Sequence, residues 1–364
     1  MTSDVGTSQW VAAFRRRVRR WYRLHGRELP WKEDADPYSV WVREIMLQQT
    51  TVAAVVPYLE KFLDEFPTVT SLAQASEEAV LRVWEGLGYY SRARNLHRAA
   101  TMIVEEWEGV WPRSADAIEC LPGVGRYTAS AIASFAFDEA APIVEANTLR
   151  LYSRLLGMVD DPARASGQKQ LWAFAERVVP PARPGQFNQA LMDLGATVCR
   201  SEPLCEECPV RLNCQAFRLG ITSRVPMRRR RARITELHET AVVIKRSGDV
   251  LMIRYSEEGR WPGLWGFPLI SRARGETLDQ PTTILDLVRE MRARGIDIEF
   301  CRQLGEFRHG VTRFRIHLQA ADVSWVDGEW NGGERAEWIP IDELSRRPLS
   351  VPGRQVAQWI RKPA

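Results

Sequence analysis

Four of the six cysteines fall within sixteen residues, spaced Cys199-x5-Cys205-x2-Cys208-x5-Cys214. The opening residues, Met1 to Phe14, are polar and lack an apolar secretory stretch, so a cluster this tight reads as metal ligation rather than disulfide pairing. Four thiolates suit zinc or an iron–sulfur cluster. Zinc ribbons pair two CxxC knuckles, and here only Cys205-x2-Cys208 is one. Pro209 follows the third cysteine, as in many iron–sulfur proteins. The spacing favours a [4Fe–4S] cluster of structural role, fixing a loop after the last helix of the first half.

Two carboxylates stand in apolar surroundings. At helical spacing Glu44 shares a face with Val40, Trp41, Leu47 and Gln48. Apolar neighbours raise a carboxyl pKa and favour a proton donor at neutral pH. The plain alternative is a buried glutamate paired with an arginine, or one at the edge of the stripe. Glu145 ends the apolar run Pro142-Ile143-Val144, and the plain alternative there is an N-cap for a helix starting near Thr148. Two carboxylates flanking one pocket suit glycosidic-bond hydrolysis: one protonates the leaving group, the other stabilises the oxocarbenium-like sugar.

Between two helical segments lies Leu121-Pro122-Gly123-Val124-Gly125, with Ser114 capping the first and Tyr127 to Phe135 opening the second. Glycines admit a close backbone approach, and amides at a helix start attract phosphate. This is the pattern of a helix-hairpin-helix, which grips a DNA backbone without reading sequence. A bare PGVG is also an ordinary interhelical turn, so the apolar helices on both sides carry the reading.

These residues need a scaffold, and the composition supplies one. The chain has 364 residues, 45% of them hydrophobic, and a net charge of +4. That length predicts two or three domains. No run of about 18 apolar residues predicts a membrane span. Residues 1–217 read as helical, punctuated at Pro37, Pro67, Gly86 to Gly88 and Pro112. Trp10, Phe14, Val18 and Trp21 recur at helical spacing among arginines, which predicts a packed amphipathic helix with a basic outer face rather than a transit segment. From Arg218 to Thr235 there are seven arginines and no acid, either a solvated linker or a strap along phosphates. Beyond it, Thr240–Lys245, Val250–Arg254 and Arg313–Leu318 read as strands and Leu285–Arg294 as a helix.

The stretch from Leu29-Pro30-Trp31 to Cys214 resembles the endonuclease III-like helix-hairpin-helix glycosylases and, within them, the MutY branch of adenine DNA glycosylases. The segments that carry this are Glu44 to Thr50, Gly86 to Leu96, the hairpin, Phe187 to Gly195 and the cysteines. The resemblance implies a mainly α region: a six-helix barrel over about 31–137 and a cluster domain from about 1–30 and 138–217. A basic interdomain linker over 218–235 and an α+β Nudix-like domain over 236–364 follow. Trp261 to Pro268 matches the GLW-x-FP segment of that domain, and Arg289 to Ile296 looks like a decayed Nudix helix. The adjacent metal-binding acids expected there are absent, so pyrophosphate hydrolysis is not expected.

The resemblance implies Glu44, Glu145, Tyr127 and Asn147 as catalytic residues, with Tyr127 and Asn147 orienting Glu145. It implies Trp31, Gln49, Thr50, Leu87, Tyr89, Gly123, Gly125, Gln189, Arg308 and His309 as base- and DNA-binding residues. Leu87, Tyr89 and Gln49 would enter the duplex, and Phe307-Arg308-His309 would be a lesion-reading loop. Cys199, Cys205, Cys208 and Cys214 would hold the [4Fe–4S] cluster. Where the lyase branch carries a Schiff-base lysine this chain has Tyr127, so monofunctional hydrolysis is expected. The expected partner is double-stranded DNA with 8-oxoguanine:adenine or guanine:adenine mispairs, bound by a monomer, cytoplasmic and nucleoid-associated in a bacterium, with no membrane.

Three positions depart from the family pattern. Glu145 and Ala146 replace Asp-Gly, Arg308 replaces a serine, and the first cysteine spacing is one residue short. The first two keep alternatives open: a mispair glycosylase for another base, or a lesion-binding protein without catalysis.

Overall fold

The computed structural model describes residues 5–227, 234–256, 259–273 and 282–361. Most of the arginine run of the expected linker, Arg228 to Arg231 and Arg233, lies outside the described residues. The chain divides into two compact units, Met1–Gln74 with Asn95–Arg230, and Ala75–Arg94 with Arg231–Ala364.

The first unit is helical. Helix α1 (Ser8–His25) starts where Thr7 accepts the Trp10 amide; it buries Phe14, Val18 and Trp21 of the face expected from the sequence together with Val11, while Trp10 is half-buried. Helix α2 (Pro37–Leu47) opens with Asp36 as its cap and Pro37 in its first turn, and every residue from Tyr38 to Met46 is buried. Pro37 fits there because a first-turn amide has no helical partner to lose. Helices α3 (Val52–Glu65) and α4 (Val69–Gln74) follow; α5 (Glu77–Val83) and the start of α6 (Ser91–Glu106) belong to the second unit. The hairpin is α7 (Ala115–Glu119), capped by Ser114 as expected, and α8 (Arg126–Phe137). Helices α9 (Ala146–Leu156), α10 (Ala165–Val178), α11 (Pro184–Thr197) and α12 (Gln215–Arg218) complete the unit.

Phe14, Val18 and Trp21 of α1 share one core with Leu151, Tyr152, Phe174, Phe187 and Leu191, and with Cys199 and Cys214. The cysteine loop is thus anchored on the packing of α1, α9, α10 and α11. Gly195 marks a tight seam toward the site, since a Cβ there would stand 2.8 Å from both the Cβ and the carbonyl oxygen of Asn147. Gly195→Ala is therefore expected to cost about 1–3 kcal/mol in stability. It should also slow base release at temperatures where the variant stays folded. A melting curve with a single-turnover rate tests this, and wild-type values for both would refute the tight seam.

The second unit is built on a seven-stranded sheet in the order β3-β2-β1-β6-β5, with β4 on β1 and β7 on β2. The strands are β1 (Thr235–Arg246), β2 (Asp249–Arg254), β3 (Trp265–Gly266), β4 (Leu269–Ala273), β5 (Ile296–Val311), β6 (Phe314–Gly328) and β7 (Arg335–Pro340). Strands β1 and β6 run parallel, and the other pairs antiparallel. Side chains alternate across β1, so Val242 and Ile244 pack with helix α13 (Ile284–Ala293), while Ala241 and Val243 pack with α14 (Val351–Arg361). The expected strands and helix are present. β5 escapes the sequence because register shifts near Asp297, Phe300 and Gln303 break its alternation.

Candidate active site

Nine of the expected residues line one cleft of about 730 Å³ in the first unit: Trp31, Glu44, Gln49, Thr50, Gly125, Tyr127, Glu145, Asn147 and Gln189. Glu44 is only 4% exposed on a helix buried all round. Burial pushes its carboxyl above the usual range. The Arg43 charge and the Tyr127 hydrogen bond pull it partly back, and the charge of Glu145 adds to the rise. The Tyr127 hydroxyl donates to Glu44 Oε2 at 2.8 Å, and Arg43 Nε stands 3.8 Å from Oε1. This corrects one expectation: Tyr127 bonds Glu44, not Glu145, because α8 and α2 pack together and carry its ring to the α2 side.

Glu145 is the N-cap of α9. Its Oε1 accepts the Thr148 amide at 2.8 Å, its Oε2 the Asn147 amide at 2.8 Å, and the Asn147 side-chain amide lies 3.2 Å from Oε2. The Thr148 hydroxyl accepts the Glu145 amide in return, closing a capping box. Burial raises this carboxyl, and the two backbone amides oppose the rise. The plain reading as a cap and a place in the cleft hold together. Asn147 is held in turn by Arg150, whose guanidinium also reaches the carbonyls of Gly195 and Cys199 at 2.6 and 2.7 Å.

Sequence reasoning missed part of the wall. Arg27 lines the cleft, and its guanidinium and amide grip buried Asp193 at 2.7 to 2.9 Å, while Gln189 donates to the same carboxylate at 2.9 Å. Asp193 lies in the Phe187 to Gly195 segment, so an acid between apolar helix positions was the available signal. Gln48, also on the wall, donates to Thr128 at 3.2 Å.

Gly123 has φ +75°, and a Cβ there would stand 2.6 Å from that of Asn95. Gly125 caps α8 without a side chain, leaving open space before the first-turn amides. That geometry suits a phosphate oxygen.

Other expected residues lie in the second unit. Tyr89 is exposed with φ +49°, and Gln49 in the cleft has φ +59°. Non-glycine residues held left-handed mark strain that clusters at functional positions. Leu87, expected to enter DNA, is instead buried at the end of a turn closed by its amide on the Trp84 carbonyl. The segment around Tyr89 is tied to the sheet unit by Glu77, Glu78 and Glu85, which pair with Arg254, Arg347 and Arg354 at 3.1, 3.3 and 2.6 Å.

Phe307-Arg308-His309 lies within strand β5 rather than in a loop. His309 stacks on Phe307 and Trp261 and lines a groove with Tyr89 and Tyr90; burial lowers its imidazole pKa. Strand alternation turns Arg308 the other way, toward a cavity with His238 and His317, so the structure does not group it with His309.

All four clustered cysteines line one small cavity, while Cys120 and Cys301 are exposed. Backbone amides at Val210, Ala216 and Phe217 face the Cys208 and Cys214 sulfurs, and Arg154 Nη1 stands 3.4 Å from Cys199 Sγ.

Comparison with known proteins places this arrangement. Residues 42–177 match the HhH-GPD superfamily of base excision DNA repair proteins, and residues 240–359 match the NUDIX domain. A thermostable thymine-DNA glycosylase superposes with a TM-score of 0.55 at 29% identity, over 58% of this chain and 99% of its own. An endonuclease III trapped as a covalent intermediate with DNA shares the fold, with a TM-score of 0.51 at 21% identity, over 59% of this chain and 99% of its own. Fold and cleft therefore define a helix-hairpin-helix DNA glycosylase of base excision repair with a Nudix-like module, acting on DNA. Human adenine DNA glycosylase is 35% identical over 95% of this chain and 73% of its own length. That of Buchnera aphidicola subsp. Schizaphis graminum is 32% identical over 96% and 99%. The chain belongs to the adenine DNA glycosylase family. Among the described residues no helix is long and apolar enough to cross a membrane.

Proposed function

We propose that this chain is a monofunctional glycosylase hydrolysing the N-glycosidic bond of adenine opposite 8-oxoguanine or guanine in duplex DNA. The observation that carries this is Glu44: a buried carboxyl with a raised pKa, opening on the same cleft as Glu145, whose carboxyl is held by helix amides. Glu44 gives its proton to N7 of the flipped adenine as the bond from C1′ to N9 breaks. Glu145 faces the positive charge that develops on the sugar, held in place by Asn147. Water adds at C1′ and releases a proton, leaving an abasic site. No lysine stands at the Tyr127 position to form a Schiff base. Residues 1–217 carry this chemistry in our reading, 218–235 link, and 236–364 read the opposite base, with His309 and Tyr89 in one groove. The protein acts as a monomer in this reading, in the nucleoid when the host is bacterial.

The cysteines fit a [4Fe–4S] cluster. Burial pushes the Cys208 thiol up to about 12 and Cys214 to about 11, so both stay neutral unless a metal takes the proton's place. Here the four thiols ring one cavity. Bound through Cys199, Cys205, Cys208 and Cys214, the cluster would supply a structural cross-link to the loop. Iron and sulfide analysis should give about four of each per chain; one zinc instead would refute the cluster.

The test of the function is single-turnover base release from a panel of duplexes, with alkali revealing abasic sites. Adenine release opposite 8-oxoguanine, faster than opposite guanine, is expected. Release of thymine from a G·T mispair instead would shift the substrate toward that of the thymine-DNA glycosylase neighbour. Tight binding with no release would leave a lesion-binding protein.

A further inference from the structure

The outer face of α1 carries positive charge that no carboxylate among the described residues answers. From Ser8 to Arg27 there is no acid. Arg16, Arg17, Arg19, Arg20, Arg23 and Arg183 line a groove of about 710 Å³ with only Ala182 and Gln186 between them. Two of the six are committed to the fold: Arg17 bonds Asn213, and Arg19 donates to the Ala182 carbonyl at 2.6 Å. The side chains of Arg16, Arg20, Arg23 and Arg183 are exposed and make no hydrogen bond or ion pair among the described residues. Arg183 has φ +52°, a left-handed turn that begins α11 on the groove's far wall.

Arg16, Arg19, Arg20 and Arg23 stand three and four apart on one helix, where like charges repel. The same repulsion reaches Arg15, whose guanidinium is lowered by burial and then by the charge of Arg19. Packing explains the buried face of α1 but gives no reason for this one. An anionic partner does.

The groove also adjoins the cleft. Arg23 lies four residues before Arg27, and Gln186 one helical turn before Gln189; Arg27 and Gln189 both line the cleft. The seven helical rises from Arg16 to Arg23 span about 10 Å. That is the axial length of about three phosphates of one strand. Guanidinium forks match phosphate oxygens two at a time.

We propose that the α1–α11 groove is a second docking site for DNA phosphate backbone, outside the cleft that takes the base. It rests on the DNA-repair reading for the identity of the polyanion, but not on which base is removed. The test is equilibrium binding of the full chain to unmodified duplexes of about 12 and about 30 base pairs across a salt series. Arg16→Gln/Arg20→Gln/Arg23→Gln should flatten the slope of log K against log salt by about 2.7, and weaken binding roughly tenfold at low salt. The matching triple lysine variant, which keeps the charge, should hold the wild-type slope. Loss confined to the long duplex means the flanking backbone of the bound DNA. Loss of a second equivalent of short duplex means a separate segment. Both support the groove. Because the duplexes carry no mispair, a failure to excise adenine leaves the result untouched. An unchanged slope on both lengths overturns the proposal. So does unchanged DNA binding with lost affinity for phosphatidylglycerol vesicles, which would assign the face to a lipid surface.

Discussion

Glu44→Gln is expected to cut single-turnover base release by about 1,000-fold, within the range for removing a general acid, while leaving duplex affinity within about twofold. Glutamine has the same shape and can still accept the Tyr127 hydrogen bond at the Oε2 position. What it lacks is a proton to give. The pH dependence follows from the direction of the shift. Burial is the largest cause of the raised Glu44 carboxyl, so the protonated form persists above the ordinary carboxylate range. Base release should fall as pH rises through that raised value, and the glutamine variant should lose this limb of the profile.

Stability follows the same direction with pH, but the substitution acts on it oppositely. A carboxyl raised in the folded state binds its proton more tightly than in the unfolded chain. Its contribution is neutral below the unfolded pKa and becomes destabilising as pH climbs through the folded one. Glu44→Gln should therefore melt higher than wild type near pH 7, with the gap closing in acid. Retained turnover in this variant would remove Glu44 from the chemistry.

Glu145→Gln separates two jobs that the structure gives one side chain. As a cap, the carboxylate accepts two backbone amides, one on each oxygen. Glutamine has a single acceptor oxygen, so one amide loses its partner, at about 1 kcal/mol. That shifts the melting point by roughly 2–4 °C in a domain of this size. As a charge facing the sugar cation, Glu145 is worth more, and its neutralisation should slow release by roughly 100- to 1,000-fold. Glu145→Asp keeps both the charge and a good cap and should retain release. A small melting shift with undiminished release in Glu145→Gln would mean that the residue is a cap and nothing else.

The chemistry-bearing residues were legible early because their signals are local. Four cysteines in one short run, a PGVG between apolar helices and an acid in an apolar stripe need no knowledge of distant parts. The burial of α1 was equally plain, since helical spacing of Phe14, Val18 and Trp21 leaves one face for a core. The long strand β5 was not legible, because its bulges interrupt the alternation that marks a strand. Leu87 looked like a residue for entering DNA and proved buried, since a hydrophobic side chain in a glycine-rich turn reads the same whichever way the turn folds.

What residue types and spacing determined alone was the inventory: two acids, a hairpin, a thiol cluster, and a helical half followed by a mixed one. Tertiary structure decided the pairings. It set the Tyr127 hydroxyl on Glu44 rather than Glu145, locked Arg27 onto Asp193, and tied Glu77, Glu78 and Glu85 to three arginines of the sheet unit. These partners are separated by up to hundreds of residues. Helical or strand periodicity fixes which face a side chain takes, but only the packing of whole elements fixes what stands opposite it.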